Sequence, residues 1–145
     1  ESAGVCYATM AVSQMTARVL TGRLADRFGR KKVIFPSLIW AMIGLAAFGF
    51  VKGAGGLIFV AFLFGLGWGA LMPAMLALAI DLSESDERGA AMATYFGAVD
   101  GGVALGTPLI GMIIGEASFG TAFLLAAAAA GLGTVIFVRN RRHIT

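Results

Sequence analysis

This chain contains few of the residues on which most soluble proteins and most enzymes depend. Charged residues make up 13% of its 145 positions, and there are one cysteine, one histidine and three prolines. The single cysteine, Cys6, excludes a disulfide within the chain. No H-E-x-x-H, G-x-S-x-G or P-loop pattern is present, and His143 stands alone, so the sequence supplies neither metal ligands nor a nucleophile with its base. We therefore expect no enzyme, no metal site and no cofactor.

The chain is rich instead in apolar and small residues. Hydrophobic residues account for 59% of the positions and glycine for 21 of them, a composition too apolar for a soluble domain. We predict an integral membrane protein in contact with the lipid bilayer. The net charge of +3 does not indicate a nucleic-acid partner, because nine of the eleven Lys and Arg fall in segments that one topology places on the same side of the membrane.

Long intervals with little or no charge mark the predicted membrane helices, since about 20 apolar residues cross the roughly 30 Å hydrocarbon core. They predict five transmembrane helices, over residues 3–21, 33–51, 57–80, 90–114 and 121–138. The predicted class is all-α, a polytopic membrane helical bundle that forms one unit over residues 1–145. The positive-inside rule places loops 22–32 and 81–88 and the carboxy terminus in the cytoplasm of a cell with this protein in its inner membrane, and Lys52 outside.

The first helix gathers polar side chains on one face. Tyr7, Gln14 and Arg18 recur at helical spacing, so this face is expected to meet water or polar partners. Arg18 has a second interpretation, in which it lies within a turn of the loop and extends to the lipid headgroups. Both interpretations stay open from the sequence.

Two further helices carry candidates for a pathway through the membrane. In the third helix Pro73 removes a backbone donor and predicts a bend at mid-depth, flanked by Trp68 and Met72. In the fourth helix Asp100 is an acid about eleven residues inside the membrane segment, which is a functional hypothesis by default. Desolvation would suit Asp100 to proton exchange, while the glycines around it favour a structural bond to a neighbouring helix.

The most distinctive segment is residues 22–32, GRLADRFGRKK, which combines an acid, five Lys or Arg and two glycines between two apolar runs. We predict a tight polar hairpin, because charge of this density cannot lie in hydrocarbon. The string resembles the G-x-L-x-D-R-x-G-R-K-K loop of the major facilitator superfamily, a family of twelve-helix secondary transporters. The resemblance implies that the loop is a conformational latch formed by Gly22, Asp26, Arg27, Gly29, Arg30 and Lys31.

The resemblance extends along the chain. GLGWGALMP, DLSESDERGAA, DGGVALGTPLIG and AFLLAAAAAG follow in the order seen in the carboxy-terminal half of these proteins. The five helices would then be the family's eighth to twelfth, a partial major facilitator fold. The same charged loop also recurs between the second and third helices of the family, but that register expects an arginine where Phe62 stands. We expect the chain, which begins with Glu, to be a fragment whose partner is the missing amino-terminal half.

The resemblance implies a secondary active transporter that moves a small molecule by alternating access, either proton-coupled or an efflux permease. By family analogy Gln14, Trp68, Met72 and Asp100 border its central cavity. The substrate itself is not implied, because this scaffold serves many solutes. The alternative is a non-transporting helical subunit of a membrane complex, in which the glycine-rich helices serve assembly.

The two predicted cytoplasmic loops carry opposite charges. We expect Arg27 or Arg30 to pair with Asp81 or Glu87, although exposed pairs of this kind contribute only about 0 to 1 kcal/mol. Ser85, which precedes two acids, is predicted to cap the fourth helix.

Overall fold

The structure is a computed structural model that describes residues 2–140, except for the side chains of residues 2, 26, 28, 30 and 31. The described part confirms the all-α class with five helices and contains no strand. Helices α2 to α5 are long and apolar enough to cross a membrane, whereas α1, with 27 residues, is long enough but more polar. The helices are α1 (Ser2–Phe28), α2 (Arg30–Phe50), α3 (Ala54–Asp81), α4 (Arg88–Glu116) and α5 (Phe119–Asn140).

The charged segment 22–32 is helical on both sides of Gly29, where the sequence predicts a loop over the whole segment. Helix α1 continues to Phe28 and α2 begins at Arg30, so Gly29 alone separates them. Gly29 has a φ of 90°, a conformation that glycine adopts without steric cost. Its N–H bonds to the carbonyl of Ala25 at 3.0 Å. Dense charge does not require a loop, because a helix satisfies its own backbone groups while its long side chains reach outward.

Helix α3 lies at the centre of the bundle and packs most extensively against α1 and α2. A methyl group on Gly69 would lie 2.6 Å from the Cα and the carbonyl oxygen of Gln14, and one on Gly67 would lie 2.6 Å from the backbone nitrogen of Ala41. These two glycines point to opposite sides of α3, because two helical residues span about 200°. Helices α1 and α2 therefore approach α3 backbone to backbone on opposite sides.

The core forms mainly between α2 and α3, and α5 packs against α2. Its buried centre consists of Ile34 from α2 with Leu71, Ala74 and Leu78 from α3. Hydroxyls that lie between the helices are satisfied locally. Ser13 and Ser37 donate to carbonyls of their own helices at 2.9 Å and 2.8 Å, so they add no unsatisfied polar group to the interior.

Helix α4 lies at the edge of the described bundle. None of its residues is buried, and it touches α3 and α5 only slightly. Within residues 2–140, α1 and α4 do not contact each other, although both rest on α3. The space between them is therefore open. The described residues also leave open space at each glycine of α4, namely Gly89, Gly97, Gly101, Gly102, Gly106, Gly111 and Gly115.

The helix caps differ from the sequence prediction. Ser85 does not cap α4, which begins at Arg88 with Glu87 at the N-cap position and no side-chain cap bond. Ser85 lies in the preceding turn, which is closed by a 3.1 Å bond from the Glu87 N–H to the carbonyl of Glu84. The serine that caps a helix is Ser118, whose Oγ accepts a 3.2 Å bond from the N–H of Thr121 at the start of α5.

The contact between α1 and α3 predicts the effect of Gly69→Ala. A β-carbon at this position requires the two backbones to separate, which we expect to destabilise the bundle by about 1–3 kcal/mol. The matched control is Gly133→Ala in α5, where open space surrounds the glycine and the change only adds helix propensity. Thermal unfolding in detergent micelles measures both. Equal midpoints for the two variants would contradict the close contact.

Candidate functional site

The gap between α1 and α4 contains a cavity of about 380 Å³, with α3 as its floor. This volume lies within the roughly 300–1,000 Å³ of small-molecule sites. The lining is almost entirely apolar or aromatic. Helix α1 supplies Arg18, α3 supplies Trp68, Met72, Pro73 and Leu76, and α4 supplies Tyr95, Phe96 and Val99.

The floor of the cavity is anchored in the aromatic packing of the bundle. Trp68 and Met72 lie one helical turn apart, so both reach the same face of α3. The Trp68 ring stacks on Phe64, with centroids 5.8 Å apart and planes at 22°. Phe64 meets Phe48 of α2 edge-on, and Phe48 stacks on Phe123 of α5 at 5.1 Å. The position of Trp68 is thus fixed by rings from three helices.

The α4 wall is joined to the floor by Tyr95. Its hydroxyl donates to the carbonyl of Met72 at 3.1 Å and lies 3.2 Å from the Met72 sulfur. This bond links α4 to α3 directly beside Pro73. Sequence reasoning did not select Tyr95, although a tyrosine inside an apolar span usually needs a partner for its hydroxyl. The hydroxyl proton is engaged by this bond, so Tyr95 has no further proton to donate.

Arg18 is the single charged side chain among the described residues that line the cavity. It forms no hydrogen bond or ion pair with any described residue, and its side chain is exposed. Because α1 continues to Phe28, Arg18 lies eleven residues before Gly29, about 16 Å along the helix axis. Arg18 is therefore not within a turn of the junction between α1 and α2, and its extension to the lipid headgroups stays a prediction.

The four predicted cavity residues divide into two groups. Trp68 and Met72 line the cavity. Gln14 is half-buried where α1 crosses Gly69 and does not line it. Asp100 is exposed on α4, one residue beyond Val99, and is also outside the lining.

The predicted latch residues lie where α1 meets α2. Gly22 and Arg27 are exposed positions within α1, and Gly29 is the break between the helices. The side chains of Asp26, Arg30 and Lys31 lie outside the described part of the structure. Asp81 ends α3 and Glu87 precedes α4, both exposed, and their pairing with Arg27 or Arg30 stays a prediction. Within residues 2–140 no cluster of His, Cys, Asp or Glu could hold a metal ion.

The whole described bundle matches a known family. Residues 1–144 match the Major Facilitator Superfamily. This chain belongs to that superfamily. The solved structures agree with the match: a peptide transporter POT in complex with sulfate superposes with a TM-score of 0.83 and 26% identity, covering 98% of this chain and 30% of the transporter. The same transporter in complex with alafosfalin gives a TM-score of 0.81 and 27% identity, covering 97% of this chain and 29% of the transporter.

Curated relatives of this superfamily member include multidrug resistance proteins of Bacillus subtilis. Multidrug resistance protein 3 is 36% identical over 107 residues, which cover 74% of this chain and 21% of that protein. Multidrug resistance protein 1 is 29% identical over 140 residues, which cover 97% of this chain and 36% of that protein. The superfamily chain therefore spans between a fifth and about a third of the length of these relatives.

The bond between α3 and α4 predicts the effect of Tyr95→Phe. Loss of the hydroxyl removes the bond to the Met72 carbonyl, and we expect the free energy of unfolding to fall by about 0.5–1.5 kcal/mol. Tyr7→Phe is the matched control, because Tyr7 is 72% exposed and has no hydrogen bond within the described residues. Chemical unfolding in detergent measures the difference. A Tyr95→Phe variant as stable as Tyr7→Phe would show that the bond does not hold α4.

Proposed function

We propose that the chain is the carboxy-terminal portion of a secondary active transporter that exports small amphipathic solutes by alternating access. The single observation that carries this proposal is the 380 Å³ aromatic cavity between α1 and α4 in a chain of this superfamily. The multidrug resistance relatives favour export as the direction. Their greater length leaves room for further helices, which in the complete transporter would cover α4 and close the open side of the cavity.

The proposal includes the orientation and the latch. The ends of the bundle that carry segments 22–32 and 81–88 face the cytoplasm of a cell whose inner membrane holds the protein, which the excess of Lys and Arg at these ends supports. The single-glycine junction at Gly29 lets the charged ends of α1 and α2 contact the other half of the transporter as the two halves rock.

The proposed orientation predicts the labelling of a cysteine placed at Ser85 in a background with Cys6→Ser. This cysteine should be labelled only from the cytoplasmic side.

Export through this cavity predicts the effect of Phe96→Ala in the complete transporter. Phe96 lines the cavity and is 47% exposed. Its removal therefore deletes an aromatic contact to the ligand without creating a cavity in the buried core. We expect the apparent affinity for a fluorescent aromatic substrate to fall about two- to ten-fold, the usual contribution of an aromatic contact. Phe59→Ala is the control, since Phe59 is 62% exposed on α3 and outside the cavity lining. Export from loaded vesicles at several substrate concentrations measures the apparent affinity of both variants. Equal apparent affinities would contradict export through this cavity.

Export is coupled to protons in this proposal, and Asp100 is the acid that carries the proton. Asp100 lies on the face of α4 that no described helix covers, where a further helix of the complete transporter would desolvate it. We expect Asp100→Asn to abolish the acceleration of export by an imposed pH gradient while leaving substrate binding in place. Glu116→Gln, at the exposed end of the same helix, is the control. Export by Asp100→Asn that still follows the gradient would leave the acid with a structural role only.

A further inference from the structure

The described lining of the cavity carries a single charge, which is positive. Of the residues that line the cavity within the described part of the chain, seven carry no charge, and the eighth is Arg18. No Asp or Glu is among them. Asp100 is the nearest acid along α4, but it follows Val99 and lies outside the lining. An apolar cavity with a guanidinium on one wall has a positive potential that nothing in its described wall compensates.

The hydrogen-bonding capacity of the lining is concentrated on the same residue. The hydroxyl proton of Tyr95 is engaged with the Met72 carbonyl at 3.1 Å. Trp68 can donate one bond through its indole N–H, and its ring is fixed by the stack with Phe64. Arg18 has no partner among the described residues, so its N–H groups remain for a ligand.

Closure of the cavity would remove water from the Arg18 guanidinium. When a transporter closes around its substrate, water leaves the site and an unpaired cation loses hydration that an apolar wall cannot replace. An anionic ligand restores that interaction. Guanidinium binds carboxylate, sulfonate and phosphate groups through two parallel hydrogen bonds, and flat aromatic bodies pack on Trp68, Tyr95 and Phe96.

We propose that Arg18 is the specificity-determining residue of this cavity and that it selects amphipathic aromatic anions, bound with their acid group on the guanidinium and their ring between α3 and α4. The proposal rests on the transport function proposed above. The cavity volume of about 380 Å³ suits an acid with one or two fused rings.

Three ligands that share one naphthalene ring and differ in charge test the proposal: naphthoate, naphthamide and naphthylmethylammonium. Equilibrium binding to the complete, detergent-solubilised transporter is measured for each. We expect naphthoate to bind at least roughly ten-fold more tightly than the amide, as for a hydrogen-bonded charge pair, and the ammonium compound to bind most weakly.

Variants then assign the preference to Arg18. Arg18→Gln should remove the advantage of naphthoate over naphthamide, and a thermal unfolding midpoint close to that of the wild type verifies that the variant is folded. Arg18→Lys should keep part of the advantage, because an ammonium attracts the anion without the planar fork. Arg23→Gln is the matched control, since Arg23 is an exposed arginine of the same helix that does not line the cavity.

Binding and export separate this proposal from the proposed function. A wild-type preference for the amide or the ammonium compound, an absence of binding by all three, or an equal loss of all three in Arg18→Gln would overturn the selection of anions. Export of naphthamide and naphthylmethylammonium without any preference for naphthoate would refute the role of Arg18 and leave the transporter standing. Selective naphthoate binding without export of any ligand would refute transport and leave the anion site standing.

Discussion

The close approach of α1 and α2 to α3 is the contact on which the rest of this bundle depends. It is possible because Gly67 and Gly69 place no side chain between the backbones, so that Ala41 and Gln14 of the neighbouring helices come within contact distance. Inside a membrane there is little hydrophobic drive between helices, and packing at short range has to supply the association. A larger residue at Gly69 would push α1 away from α3, and one at Gly67 would push α2 away from it. Either change would shift the side chains that the displaced helix carries.

The cavity is a consequence of that geometry. With α1 held tightly on one side of α3 and α4 resting only lightly beside it, the groove between α1 and α4 stays open. The aromatic stack from Phe123 through Phe48 and Phe64 fixes Trp68 at the floor, while one hydrogen bond from Tyr95 holds the α4 wall. A rigid floor with a lightly held wall is the arrangement that a transporter needs if its site is to open and close.

Arg18 and Asp100 differ in what surrounds them. Arg18 lies in the wall of the cavity, where it gives the site a positive potential. Asp100 lies outside the lining, on a helix without a buried residue. The charge of Arg18 acts within the cavity, whereas that of Asp100 does not.

The sequence by itself determined the helical class, the number of helices and the family, because apolar run length and the GRLADRFGRKK pattern are local properties that need no knowledge of packing. It also selected Trp68 and Met72, whose spacing on one helix is local. Only the tertiary structure decided that segment 22–32 is helical except at Gly29, that Ser118 rather than Ser85 is a cap, and that Arg18 and Tyr95 line the cavity while Gln14 does not. The lining of the cavity depends on how α1, α3 and α4 pack, and that packing is set by contacts between residues that are distant in sequence. The break at Gly29 and the Ser118 cap rest instead on local backbone bonds, which the pattern of charged and apolar residues does not specify.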